Sequence, residues 1–137
     1  LTNLQAAVGL GQLDHIDALL SKRISLANNY MKLLKGVEGI TLPTTSENGQ
    51  PSYQTFSVYV QDRDRIMSEM RAKGIEVQIG TYSLHMHDAF KNNPMVEVKG
   101  EMSNSVWCYK HALALPLYND LTEELQQKVV TELTACL

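Results

Sequence analysis

At 137 residues, 44% hydrophobic and 20% charged, the chain has the composition of a single globular domain, long enough to bury roughly two thirds of its unfolded surface. The net charge of −3 offers no basic footprint for nucleic acid, no apolar run approaches the roughly 18 residues of a membrane span, and the N-terminus lacks the regions of a signal peptide. Cys108 and Cys136 have no CxxC spacing and are expected to be buried free thiols, which together with the absent leader points to the cytoplasm.

The first predicted element is a helix. Thr2 and Gln5 fit a capping box, and Leu4, Val8, Leu13, Ile16, Leu20, Ile24, Ala27, Met31 and Leu34 recur at helical spacing. The pattern predicts one unbroken helix from residue 2 or 3 to Gly36, where a glycine can take the left-handed conformation that ends helices. Two glycines interrupt its start, each costing about 1 kcal/mol relative to alanine in a helix interior. Ala7 and Gly11 lie four apart on one face with Gly9 nearby, so the first turns present backbone and are expected to form a close docking face; glycines tolerated in a fraying first turn are the plainer alternative. GLG at 9–11 is no phosphate loop, because it follows no strand and lacks the full GxGxxG. The chain begins at Leu1 without an initiator methionine and is expected to be a piece of something longer.

GVEGITLPTTSENGQPS reads as a loop with an extended ITL, and YQTFSVYV alternates Phe56, Val58 and Val60 against Thr55, Ser57 and Tyr59, the signature of a strand with one buried face. Asp62 is the expected cap of a helix over DRDRIMSEMRAKG, in which Ile66, Met67 and Met70 share a face and Gly74 is the stop; IEVQIG then alternates as a second strand. If adjacent, these two strands are expected to be parallel, and with another strand between them antiparallel. A short helix is expected from about Leu84 to Lys91, and another over NSVWCYKHA capped by Ser103 or Asn104. LALPL reads as a small or edge strand broken by proline. Thr122 caps a last helix with Leu125, Val129 and Leu133 as its buried stripe. The elements predict an α+β domain, a sheet of three or four strands covered by helices on one side.

Few residues point to chemistry. His85, His87 and Asp88 suggest a metal, but H-x-H lacks further ligands at any recognised spacing, and a hydrolase built on them is a poor third choice. TYSLHMH gathers Tyr82, Ser83, His85 and His87 just beyond a strand end, where ligands commonly bind; satisfied surface histidines are the equal alternative. Cys108 beside Trp107 has no basic neighbour to make it a nucleophile.

TNLQAAVGLGQLDHID, SKRISLANNYMKLL, YQTFSVYVQDRDRIMSEMRAKGIEVQIGTYSLHMHDAF and ALALPLYNDLTEELQQKVV together resemble the C-terminal part of the DegT/DnrJ/EryC1/StrS family, pyridoxal-phosphate-dependent sugar aminotransferases, from residue 2 to about residue 134. The resemblance implies the small C-terminal domain of a type I PLP-dependent transferase fold over residues 1–137, with a long connecting helix over 1–36 and a sheet-and-helix body over 37–137. It further implies a full-length enzyme with PLP in a large domain, a homodimer, and transfer of an amino group, usually from glutamate, to a keto nucleotide-sugar. The cofactor lysine, the acidic partner of the pyridine nitrogen and the phosphate-gripping loop belong to that large domain. No catalytic or cofactor-binding residue is therefore expected in this chain, which alone should not catalyse. Ala7, Gly9 and Gly11 become the expected interface with the large domain or the twofold partner. Tyr82 and His85, with His87 behind them, become the expected substrate contacts, although many relatives carry a histidine-tyrosine-proline-rich loop where this chain has IGTYSLHMH. A stand-alone, non-catalytic binding or regulatory module with the same fold is the alternative.

Overall fold

The computed structural model describes residues 2–137. Its first turn is closed by the expected capping box, in which Gln5 N–H donates to Thr2 Oγ1 (3.3 Å) and Thr2 N–H to Gln5 Oε1 (2.8 Å). The predicted single helix is, however, two: α1 (Asn3–Leu13) and α2 (Ile16–Leu33). At the break His15 leaves the helical region (φ −114°, ψ 2°), and its N–H bonds back three residues to Gln12 O at 3.1 Å. The apolar periodicity runs across this two-residue turn and so conceals it. No residue of α1 is buried, so the body offers no packing that would hold the two helices as one rod. Among the described residues no helix is long and apolar enough to cross a membrane.

The body is a four-stranded sheet in the order β1 (Ile40–Thr41), β2 (Phe56–Val60), β4 (Ala112–Leu115), β3 (Gln78–Ile79), every pair antiparallel. Helix α3 (Arg63–Ala72) links β2 to β3. Because both strands are antiparallel to β4, they run in the same direction with β4 between them, a split βαβ unit. The sequence expectation of antiparallel strands around an intervening one is thus reversed: two antiparallel steps restore the direction. β4 is also no edge strand. All four of its residues are buried and it pairs on both sides, because Pro116 falls one residue past the strand and removes no ladder donor.

Phe56, Val58 and Val60 face the core with Leu113, Leu115 and Val77, covered by Leu26, Ala27, Tyr30 and Leu34 of α2 and its end, Ile66 and Met70 of α3, and Val129, Val130 and Leu133 of α6 (Glu123–Thr134). The opposite face is not bare: Tyr59 packs on Trp107 of α5 (Ser103–His111), ring centroids 5.1 Å apart, so the sheet carries helices on both sides. Gly74 (φ 76°) ends α3 as expected, but neither expected cap is made. Asp62 precedes α3 in a left-handed conformation without a side-chain bond, and Met102, not Ser103 or Asn104, stands at the start of α5. Thr122 does cap α6, accepting from Leu125 N–H at 3.2 Å.

Val129 and Leu133 of α6 are buried as expected, and only the first position of the stripe moves by one residue. Leu125 is exposed, and Gln126 is fully buried instead. Its amide is satisfied at both ends, accepting from Asn29 Nδ2 (2.9 Å) and donating to Leu26 O (2.9 Å), which ties α6 to α2. Beside it the Tyr30 hydroxyl donates to Pro116 O at 3.0 Å, and burial pushes its pKa far above the ordinary tyrosine value, so it remains a donor. Gln126→Leu keeps the volume but strips Leu26 O and Asn29 of this partner. Urea unfolding should show a loss of about 1–3 kcal/mol; an unchanged midpoint would mean that the two bonds contribute nothing net.

Candidate functional site

Strands β2 and β3 end on the same side of the sheet, where β4 begins. α3 starts there, α5 ends there, and residues 80–85 leave β3 there. Gly80 makes this turn possible. Its N–H donates to Ala112 O at 2.9 Å, and a Cβ on it would come within 2.8 Å of Ala112 Cβ and 2.7 Å of Ser57 Oγ. Only a residue without a side chain lets the segment lie this close to the sheet.

Beyond Gly80 the chain passes through Tyr82 and Ser83 into a 3₁₀ turn at Leu84–Met86 and the short helix α4 (Asp88–Lys91). Tyr82 is 60% exposed, yet its ring lies 5.9 Å from that of Tyr109 on α5. Ser83 is buried, and its hydroxyl lies 2.9 Å from Ser105 Oγ and 3.1 Å from His85 Nδ1. Two side chains of α5 therefore back this segment: Tyr109 packs on Tyr82, and Ser105 meets Ser83, which in turn reaches His85. His87 is used differently: its Nδ1 accepts from Ala89 N–H at 3.3 Å, capping α4, and its ring packs near Phe90. Tyr82 directly and His85 through Ser83 are thus tied to α5, whereas the recorded bonds of His87 turn toward α4. Among the described residues no three His, Cys, Asp or Glu side chains converge as a metal site.

Behind Tyr109 lies Arg63, only 4% exposed. Its guanidinium sits 5.6 Å from the Tyr109 ring centre and reaches Ala112 O at a long 3.5 Å. Its Nε is 2.7 Å from Asp64 Oδ1, but out of line for a hydrogen bond, so this contact is one of charge alone. On the same side Trp107 is flanked by Tyr59 and His111, and burial raises the pKa of the Tyr59 hydroxyl, helped by the neighbouring Cys108 thiol. Arg63, Ser105 and Tyr109 escaped the sequence reading. The available signal was the four-residue spacing of Ser105 and Tyr109, which places them on one face of a helix.

The second candidate region is α1. Leu4, Val8, Leu10 and Leu13 are all more than half exposed, and a Cβ built on Gly9 or Gly11 would meet nothing within 4 Å. Nothing in the body of the chain requires those glycines.

Residues 1–134 match the model of the DegT/DnrJ/EryC1/StrS aminotransferase family. The chain is 32% identical over 141 aligned residues to the dTDP-4-amino-4,6-dideoxy-D-glucose transaminase of Escherichia coli, covering 94% of this chain and 36% of that protein. It is 30% identical over 118 residues to the dTDP-3-amino-3,4,6-trideoxy-alpha-D-glucose transaminase of Streptomyces venezuelae, covering 85% of this chain and 31% of that one. Among solved structures, S. venezuelae DesV in complex with a ketimine intermediate superposes with a TM-score of 0.84 at 27% identity, over 96% of this chain and 35% of DesV. The chain therefore spans about a third of the length of the relatives it matches. The fold and the match along nearly its whole length place this chain in the DegT/DnrJ/EryC1/StrS aminotransferase family.

Proposed function

We propose that the chain is the small domain of a cytoplasmic, homodimeric, PLP-dependent aminotransferase that moves an amino group from glutamate to a keto nucleotide-sugar. In this enzyme Tyr82 and His85 touch the nucleotide-sugar, and Ala7, Gly9 and Gly11 form the face against the large domain or the twofold partner. The observation that carries the substrate role is the arrangement at 82–85: an exposed aromatic ring packed on Tyr109 of α5, and an imidazole held by Ser83, whose hydroxyl in turn meets Ser105 of α5. Such preorganisation is what a binding surface needs, and a segment with no ligand to meet has no use for it. The names of the relatives, transaminases of dTDP-linked sugars, support a nucleotide-sugar as substrate.

We expect no cofactor-binding residue in this chain. Every lysine of the chain is solvent-exposed, and none lies in the enclosed setting in which an imine-forming lysine is activated. We therefore assign PLP, its lysine and its acidic partner to the rest of the full-length protein, and expect this chain alone to be inactive.

The test is the full-length protein supplied with PLP, glutamate and a keto dTDP-sugar, read as 2-oxoglutarate released. Activity is expected there and not in the 137-residue chain. His85→Ala should raise KM for the sugar about tenfold with little change in kcat, the loss of one hydrogen bond that ground and transition states share. An unchanged KM would remove His85 from the substrate site. Tight nucleotide-sugar binding by the 137-residue chain, with no transfer by any longer form, would instead favour a stand-alone binding module.

A further inference from the structure

Where α3 begins and α5 ends, an open cleft of about 650 Å³ is lined by residues 61–65 on one side and 109–111 on the other. Arg63 forms part of its wall although the residue is only 4% exposed, and it is poorly bonded for a buried cation. A guanidinium has five N–H groups to place. With the described residues it makes one hydrogen bond, from Nη1 to Ala112 O at a long 3.5 Å, and the buried Nε makes none. The Tyr109 ring at 5.6 Å answers the charge but not the N–H groups. A buried charge this short of acceptors is costly. What stands at Nε is the Asp64 carboxylate, with Oδ1 at 2.7 Å but out of line for a hydrogen bond. That side chain is 81% exposed and belongs to the next residue in the chain, so its tether limits the direction from which it can approach. An untethered oxyanion has no such limit and can take two N–H groups at once.

We propose that this cleft binds an oxyanion on Arg63 in place of the Asp64 carboxylate, and that the oxyanion is the diphosphate of the nucleotide-sugar. Two further features suit it. α3 starts at Arg63 without a side-chain cap, so the N–H groups of its first turn have no acceptor from that source. Lys110, exposed on the facing wall, forms no ion pair with a described residue. Arg65 is held by Glu69 at 2.9 Å, which leaves Arg63 and Lys110 as the two cations for the ligand, against one remaining carboxylate, Asp62. The choice of a diphosphate rests on the proposed substrate role of Tyr82. The Tyr109 ring packs on Tyr82 at 5.9 Å and on Arg63 at 5.6 Å, so one ligand can touch Tyr82 and the cleft together. Of the two proposed substrates, only the nucleotide-sugar carries both rings for Tyr82 and an oxyanion of this charge.

The experiment is NMR of the arginine side chains in the ¹⁵N-labelled 137-residue chain, titrated at constant ionic strength with inorganic pyrophosphate and, separately, with glutamate. Pyrophosphate should shift the Arg63 Nε–H signal saturably, and glutamate at the same concentrations should not. Asp64→Asn removes the tethered competitor and should tighten pyrophosphate about fivefold, whereas Lys110→Ala should weaken it about fivefold. Both changes fall on exposed side chains and leave the buried Arg63 in place. An Arg63 signal indifferent to pyrophosphate overturns the proposal, as does an Asp64→Asn chain that binds it no better; a response to glutamate alone overturns the choice of diphosphate. In the full-length protein Lys110→Ala should raise KM for the keto dTDP-sugar about fivefold and leave KM for glutamate unchanged. If that protein transfers no amino group while pyrophosphate still shifts Arg63, the proposed reaction falls and the oxyanion site stands.

Discussion

Leu113→Ala is expected to lower the stability of the chain by about 3 kcal/mol or more, toward the upper part of the 2–5 kcal/mol range for leucine deletions in cores. Leu113 is fully buried in the central strand, facing Val58 of β2 on one side and Ile79 of β3 on the other. Two strands meet through it, and neighbours tied into a sheet on both sides cannot readily collapse into the space it leaves. Thermal unfolding should show a melting temperature lower by about 10 °C or more. Leu125→Ala is the control: Leu125 is 42% exposed on α6, and its loss should cost well under half as much. Equal losses from the two variants would contradict the placement of β4 at the centre of the sheet.

Gly11→Leu should have opposite consequences in two settings. In the 137-residue chain a Cβ at this position meets nothing within 4 Å, so the helix gains the propensity difference of about 0.5–1 kcal/mol and α1 becomes no less stable. In the full-length protein the proposal that α1 docks closely puts a leucine where backbone meets backbone. Overpacking there should cost about 1–3 kcal/mol or break the dimer outright. Sedimentation and melting of the full-length Gly9→Leu and Gly11→Leu variants decide between these outcomes. If both remain dimeric with unchanged melting, the docking face is not where Gly9 and Gly11 lie. The contrast is informative because it separates what the glycines do for their own helix, which is harm, from what they do for an assembly.

Features of the fold written in local periodicity were legible. Phe56, Val58 and Val60 alternate because one face of β2 is core, and Ile66 and Met70 return every four residues because one side of α3 is. Features decided at a distance were not. The burial of Gln126 in place of Leu125 depends on two hydrogen-bond partners about a hundred residues away, which no window on the sequence contains. The same holds for β4: ALAL looks like a minor strand until the partners on both its sides are known. The break at His15 hid for the opposite reason, since the apolar spacing continues through it while the backbone does not. At the candidate site Tyr82 and His85 stood out by residue type and by their place after a strand. Their supports on α5 did not, because Ser105 and Tyr109, more than twenty residues later, carry no sign of what they will touch.

The place of β4 also governs the order in which the molecule can assemble. β2 and β3 are made early and lie two positions apart in the sheet, and the strand that joins them comes after residue 111. Until it arrives, β2 has only the two-residue β1 beside it and β3 has no neighbour at all, so each offers an open row of backbone donors and acceptors to any passing chain. Closing the gap pairs residues 56–59 with 112–115, a contact distant in sequence, whose loop entropy is lost before any packing is gained. During synthesis the sheet must therefore stay open until most of the chain has left the ribosome. A fragment ending before residue 112 should aggregate rather than fold, even though it contains three of the four strands.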